Sequence, residues 1–278
     1  MRLNGTGDAT DNIPDMRRGT TLIAALMLLT ACGQAATEPP DPGIPEPQVE
    51  PVRDDPPVGD PAPLETRPVW EGFEATRHAD PTLVAMAHGP VDVYASTEDT
   101  APMTTIDPAT ILGTVTVLGV VSAPSDGWVE VMLPIRPNGT TGWARADELS
   151  FYVADSRIVV DLGDRRLTYI VDGDEVLSTE VGIGSDHNET PVGEFFVTDL
   201  VTVTTANSPW GPHALGLSAR SDTITEFNGG DGIIGIHGTD NPSSIGGSIS
   251  LGCVRLPNEI ITELYAMVPL GTRVEVRA

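Results

Sequence analysis

The sequence predicts a mainly β protein, a small barrel followed by a β-sandwich that carries one short helix. Three observations lead there. Short runs of alternating apolar and polar residues recur from about Pro81 to the C-terminus, which is the period of a half-buried strand. Glycine and proline are abundant, 29 and 25 of the 278 residues, and beyond the N-terminal region they fall largely between these runs, where tight turns need them. One stretch alone, Glu259 to Val268, places its apolar residues at helical spacing.

The N-terminal residues read as a targeting signal rather than as part of a fold. Met16-Arg17-Arg18 is followed by an apolar run from Leu22 to Leu29 and then by Leu29-Thr30-Ala31-Cys32, the basic flank, apolar centre and small residues of a cleaved signal peptide. Thr20 to Ala31 is shorter than the roughly 20 apolar residues that a membrane-crossing helix needs. Leu-Thr-Ala-Cys also resembles the lipobox of bacterial lipoproteins. That resemblance implies that residues 1–31 are removed, that Cys32 carries lipid, and that the protein is exported to the cell envelope and anchored to a membrane there. Residues 32–80 read as a disordered tether: from Gln34 to about Pro68 proline, acidic and small residues dominate, and such a segment cannot bury a core.

Residues 81–150 change character. Val91 to Tyr94, Gly113 to Leu118, Trp128 to Leu133 and Gly142 to Ala144 read as strands, with Asp126-Gly127 and Asn138-Gly139 as turns. The segment resembles a bacterial Src-homology-3-like domain, in which a Gly-Trp pair such as Gly142-Trp143 is common. Trp128 and Trp143 would serve either as a binding surface for wall material or as core. Core is preferred, because aromatic residues dominate small β cores.

Residues 156–278 open with Arg157 to Leu162 and Arg166 to Val171, and Asp172-Gly173-Asp174-Glu175 turns the chain into Val176 to Val181, a hairpin signature. Thr190 to Val197 adds a turn and a strand. Asn258 is placed to cap a helix over Glu259 to Val268, with Ile260, Ile261, Leu264, Tyr265 and Val268 on one face and Pro269 and Gly271 as the stop. Arg273 to Val276 closes the sheet.

Composition narrows the partners. The formal net charge is −25 with no lysine in the chain, which repels nucleic acid and anionic lipid head groups, so membrane contact falls to the anchor and no nucleic-acid partner is expected. There are two cysteines. With Cys32 lipidated no intramolecular disulfide can form, and an exported chain with one remaining thiol must protect it or use it.

That thiol is Cys253, in Ser250-Leu251-Gly252-Cys253-Val254-Arg255, and sixteen positions before it stands His237 in Ile236-His237-Gly238. A thiol with an ordinary pKa near 8.5 is mostly protonated at neutral pH and needs a base, and histidine titrates in the useful range. Taken alone, a cysteine can be a small buried hydrophobe and a histidine among glycines a satisfied loop residue. A metal site is disfavoured, since neither Cys-x-x-Cys nor His-Glu-x-x-His occurs. His187 and His213 fall in expected loops and read as surface histidines.

Thr190-Pro191-Val192-Gly193-Glu194-Phe195, Ile236-His237-Gly238, the Asn241-Pro242 and Ile245-Gly246 loop, and Ser250 to Arg255 occur in one order that resembles the catalytic domain of bacterial L,D-transpeptidases, over residues 156–278. The resemblance implies a cofactor-independent enzyme that cross-links peptidoglycan, and a monomer is expected. Cys253 would attack a tetrapeptide stem and release D-alanine, and the acyl group would pass to an amine of a second stem. His237 would be the base, with its other ring nitrogen on the Gly238 carbonyl. The amides of Gly252 and Cys253 would face the oxyanion, Ser250 would polarise the site or support its loop, and Arg255 would hold a stem carboxylate or position Cys253. Many members have histidine where this chain has Leu251, which leaves His237 as the sole base. Transfer of the same acyl group to water, as a carboxypeptidase or endopeptidase, and a non-catalytic wall-binding lipoprotein are the alternatives.

Overall fold

In the computed structural model, residues 49–50 (as backbone), 82–227 and 230–278 are described. The expected signal peptide, the lipidation site Cys32 and all of the tether except residues 49–50 lie outside the described residues. Val49–Glu50 form a two-residue strand (β1) within the segment expected to be a tether.

The strands that follow are β2 (Thr82–Ala87), β3 (Val91–Val93), β4 (Thr104–Ile106), β5 (Val117–Ser125), β6 (Trp128–Met132), β7 (Thr141–Arg145) and β8 (Leu149–Ala154). Five of them make an antiparallel sheet in the order β7-β6-β5-β2-β8, and β3 and β4 pair as a ribbon beside it. Asp126 and Gly127 both take positive φ, 53° and 79°, the geometry of the tight hairpin that joins β5 to β6. Leu83, Val84, Val117, Leu118, Val129 and Val131 fill the core under this sheet. Trp128 is buried against the edge of Tyr94, with the Arg145 guanidinium 3.8 Å above its ring, so it packs rather than presents a binding face. Trp143 is half-buried.

The second part contains β9 (Ser156–Asp161), β10 (Arg166–Val171), β11 (Asp174–Glu180), β12 (Ile183–Gly184), β13 (Gly193–Val203), β14 (His213–Arg220), β15 (Ile233–His237), β16 (Ser248–Ser250), β17 (Val254–Arg255), α1 (Asn258–Met267) and β18 (Arg273–Arg277). The main sheet runs β11-β10-β9-β18-β13-β14-β15-β17, with β1 beside β13. Strand β13 links its two halves: Gly193 to Phe196 pair with β18, and Val197 to Thr202 pair with β14. The sheet is curled, and residues of both halves share one core, from Ile158, Leu167 and Tyr169 to Leu215, Ile234, Ile236 and Val254. Helix α1 seals it with Ile261 and Leu264, both fully buried. The molecule is thus mainly β with one helix.

Three features depart from the sequence reading. Within Gly113 to Thr116 only Val115 pairs, in an isolated bridge with Ala109, and β5 starts at Val117. Strands β14 and β15 were not read as strands, because nearly every side chain on them is buried and a strand covered on both faces has no alternation to betray it. Asn258 does not cap α1: Pro257 is the N-cap residue, and there is no side-chain cap bond.

The two parts share packing. Phe196 of β13 belongs to the core of the small sheet, 2% exposed. Tyr152 Oη donates to the Leu270 carbonyl at 2.9 Å, and Thr110 Oγ1 donates to Asp199 at 2.5 Å. The loop between β6 and β7 reaches the far end of β14. There Asn138 Nδ2 donates to the Arg220 carbonyl and Asn138 Oδ1 accepts from the Arg220 N–H, both at 2.8 Å. Arg136 donates to the Ser221 and Ile224 carbonyls at 3.0 Å. Among the described residues no helix is long and apolar enough to cross a membrane.

Candidate functional site

Strands β15 and β17 lie side by side and parallel, with Ile236 beside Val254 and His237 beside Arg255. Cys253 therefore enters β17 next to Gly235, whose N–H donates to Sγ at 3.4 Å. His237 stands two residues further along β15. Residues sixteen positions apart in sequence thus become diagonal neighbours across one strand pair, a placement that spacing alone does not specify.

His237 is 5% exposed. Its Nδ1 lies 2.6 Å from the Gly238 carbonyl, and a carbonyl can only accept, so Nδ1 carries the proton and Nε2 presents its lone pair. The Trp210 ring sits 4.7 Å away, tilted by 36°. Burial, more than the nearby Arg255 cation, pulls His237 from 6.5 down to about 4, while the bond to Gly238 opposes that shift. The expectation of a near-neutral titration is thereby corrected. Burial pushes the Cys253 thiol up, against the opposing effects of the Gly235 N–H and the Arg255 charge. At neutral pH the pair rests uncharged, a thiol beside a neutral imidazole.

The loop that carries Cys253 is braced from within. Ser250 Oγ donates to the Cys253 carbonyl at 2.6 Å and accepts from the Gly252 N–H at 3.1 Å. Ser250 thus supports the loop, and the Gly252 amide is already engaged on its own chain. Gly252 has φ of +112°, and a Cβ there would lie 2.9 Å from Ile234 Cδ1 and 3.3 Å from the Glu189 carbonyl, so only glycine fits without strain. Leu251 and Ile249 point outward, 42% and 54% exposed. Arg255 is half-buried and exchanges two backbone hydrogen bonds with Gly182, at 2.8 and 2.9 Å. Its Nε is buried without a hydrogen-bond partner, a donor suited to an anionic group.

His187 is exposed. His213 is not the surface residue expected: it stacks on Tyr265 at 4.2 Å, its Nδ1 is buried without a partner, and burial lowers its pKa. Among the described residues no group of three or more His, Cys, Asp or Glu side chains converges to hold a metal. Sequence reasoning missed Trp210 at the site and read Asn258 only as a helix cap, whereas Asn258 Oδ1 accepts from the Thr239 N–H at 2.8 Å. Trp210, in Ser208-Pro209-Trp210-Gly211-Pro212, was signalled only by a large apolar ring inside a turn-rich loop.

Comparison with known proteins gives this geometry its context. Residues 155–276 match the L,D-transpeptidase catalytic domain family. Over 125 residues the chain is 32% identical to a Bacillus subtilis protein assigned as an L,D-transpeptidase, YkuD, covering 45% of this chain and 68% of the relative. The Bacillus licheniformis counterpart is 36% identical over 121 residues, covering 43% and 64%. The crystal structure of an Enterococcus faecium L,D-transpeptidase variant aligns with 44% of this chain and 50% of its own, at 27% identity and a TM-score of 0.35. The chain thus spans roughly two thirds of these curated relatives and half of that solved structure.

Proposed function

We propose a function from one premise: the chain belongs to the L,D-transpeptidase family, through a catalytic domain over residues 155–276. On this reading it is a cysteine-dependent L,D-transpeptidase acting on peptidoglycan tetrapeptide stems. The observation that carries the reading is the placement of the half-buried Cys253 diagonally from His237 across the parallel β15–β17 pair, with the imidazole Nδ1 tied to Gly238 so that Nε2 is left as the basic atom.

Cys253 Sγ attacks the carbonyl carbon of the third stem residue as its proton passes to His237 Nε2. The S–C bond forms, and the carbonyl oxygen takes negative charge. The Cys253 N–H is the principal oxyanion donor, since the Gly252 N–H already bonds Ser250. Collapse breaks the C–N bond to D-alanine, whose nitrogen takes the proton from Nε2. A side-chain amine of a second stem then attacks the thioester. The new C–N bond forms, the C–S bond breaks, and the amine proton returns through His237 to sulfur. Arg255, with its unpartnered buried Nε, holds a stem carboxylate.

The uncharged resting pair suits this chemistry, because a buried thiolate without substrate would be exposed to oxidation. Lipid attachment at Cys32 and an envelope location extend the proposal, supported by Leu29-Thr30-Ala31-Cys32 and its flanks. So does a Src-homology-3-like identity for the small β part, supported by its strand pattern and Gly142-Trp143.

The test is incubation of purified protein with a disaccharide-tetrapeptide, with Cys253→Ala alongside, and mass spectrometry of the products. A cross-linked dimer that disappears in the variant is expected. Tripeptide with free D-alanine would assign hydrolysis instead, and unchanged substrate with intact folded protein would count against an acyl-enzyme altogether.

A further inference from the structure

The peptide unit that joins Gly238 to Thr239 is held from both sides. Its carbonyl accepts from His237 Nδ1 at 2.6 Å, and its N–H donates to Asn258 Oδ1 at 2.8 Å. Both groups belong to one planar unit, so whatever fixes the N–H also fixes the direction of the carbonyl. Asn258 opens α1 without capping it, and its own carbonyl accepts from Thr262 Oγ1 at 2.8 Å, which ties the residue to the first turn of the helix. The seat around its side-chain oxygen is tight, because a Cβ added at Gly211 or at Gly238 would collide with Oδ1. Thr239 is 2% exposed, so its N–H is poorly placed to find water if Asn258 is cut back.

The surroundings of His237 make this arrangement matter. The ring faces Trp210 on one side and is opposed electrostatically by Arg255. Burial and that cation both disfavour an imidazolium, and the Gly238 carbonyl is the group that favours one. Hydrogen bonds in series polarise one another, so a carbonyl whose own N–H partner is bonded is the better acceptor.

We propose that Asn258 is a positioning residue for the thiol chemistry. By holding the Thr239 N–H it aims the Gly238 carbonyl at His237 Nδ1, keeps the imidazole in its Nδ1–H tautomer, and stabilises the imidazolium that forms when the Sγ–H bond breaks and the Nε2–H bond forms. The inference rests on the reading of His237 as the base for Cys253. It replaces the helix-capping role that the sequence suggested for Asn258.

The experiment measures alkylation by iodoacetamide in the full chain, read on the Cys253 peptide so that Cys32 does not contribute, from pH 6 to 10. Wild type, Asn258→Ala, Asn258→Asp and His237→Ala are compared, with thermal melts of each. Asn258→Ala is expected to react about tenfold more slowly than wild type at pH 7, with the two curves converging as rising pH ionises the thiol without help. Asn258→Asp keeps an acceptor oxygen and is expected to stay within about threefold of wild type. A lesion that only altered access to sulfur would lower the rate at every pH, so absence of convergence overturns the proposal. If His237→Ala is slow while Asn258→Ala follows wild type throughout, the proposal falls and the base assignment stands. If His237→Ala itself follows wild type, the base assignment falls and takes the proposal with it. Should Asn258→Ala not fold, the imidazole nitrogen spectrum of Asn258→Asp decides. Its carboxylate, on the far side of the same peptide, is expected to raise the His237 titration by about half a unit or more, and an unmoved titration overturns the proposal.

Discussion

At the scale of single residues, burial moves both ionisable groups of the site further toward their uncharged forms. His237 is held near a pKa of 4, below its value of about 6.5 in an unfolded chain. Between those two values the unfolded chain binds more protons at this residue than the folded one. Stability from this group is therefore complete above about pH 6.5 and is lost as pH falls toward 4, by roughly 3 kcal/mol in all. Replacing His237 with Gln removes this contribution and leaves the carboxylates that titrate nearby in common. The loss of unfolding free energy between pH 7 and pH 4, measured by urea denaturation, is expected to be smaller in His237→Gln than in wild type, and an equal loss in both would contradict the burial account. Cys253 and His237 were legible in the sequence by residue type and by the company of Gly238, Ser250 and Arg255. Their resting charge was not, because that depends on neighbours brought in by other strands.

At the scale of elements, the curled sheet is assembled by one long strand. β13 gives its first residues to β18 and its later ones to β14, and at the changeover lies Asp199, 1% exposed. A carboxyl group so placed needs partners, and Thr110 of the small part supplies a hydroxyl at 2.5 Å. Thr110→Val keeps the shape and removes the donor. It is expected to cost about 1–3 kcal/mol in chemical denaturation, and a change below a few tenths would show that Asp199 is satisfied without it. The hairpins were readable because Asp-Gly pairs mark turns and alternation marks strands: Asp172 and Gly173 take φ of 52° and 86° between β10 and β11, as Asp126 and Gly127 do between β5 and β6. β15, which carries His237, and its neighbour β14 were not readable, since burial on both faces erases the pattern that identifies a strand.

At the scale of the whole molecule, the small sheet and the catalytic sheet do not behave as beads on a string. Phe196 leaves the catalytic strand β13 to fill the core of the small sheet. Leu270 packs against both cores, and Arg136 and Asn138 grip Ser221, Ile224 and Arg220. Calorimetry of residues 76–278 is therefore expected to give a single unfolding transition whose van't Hoff and calorimetric enthalpies agree. Two resolved transitions would mean that the interface contributes little. By the same reasoning, a catalytic piece cut at residue 155 would expose Phe196.

The sequence by itself determined the mainly β class, the single helix and the hairpin turns, and it offered the export signal and the Cys253–His237 pair as expectations, because each is written in local pattern or in residue type. The tertiary structure alone decided the rest. Parallel pairing of β15 with β17 brought Cys253 beside Gly235 and diagonal to His237, burial shifted both toward their uncharged forms, and the start of α1 placed Asn258 against the peptide whose carbonyl bonds the imidazole. These are contacts between segments far apart in the chain, and no local property of either segment encodes them.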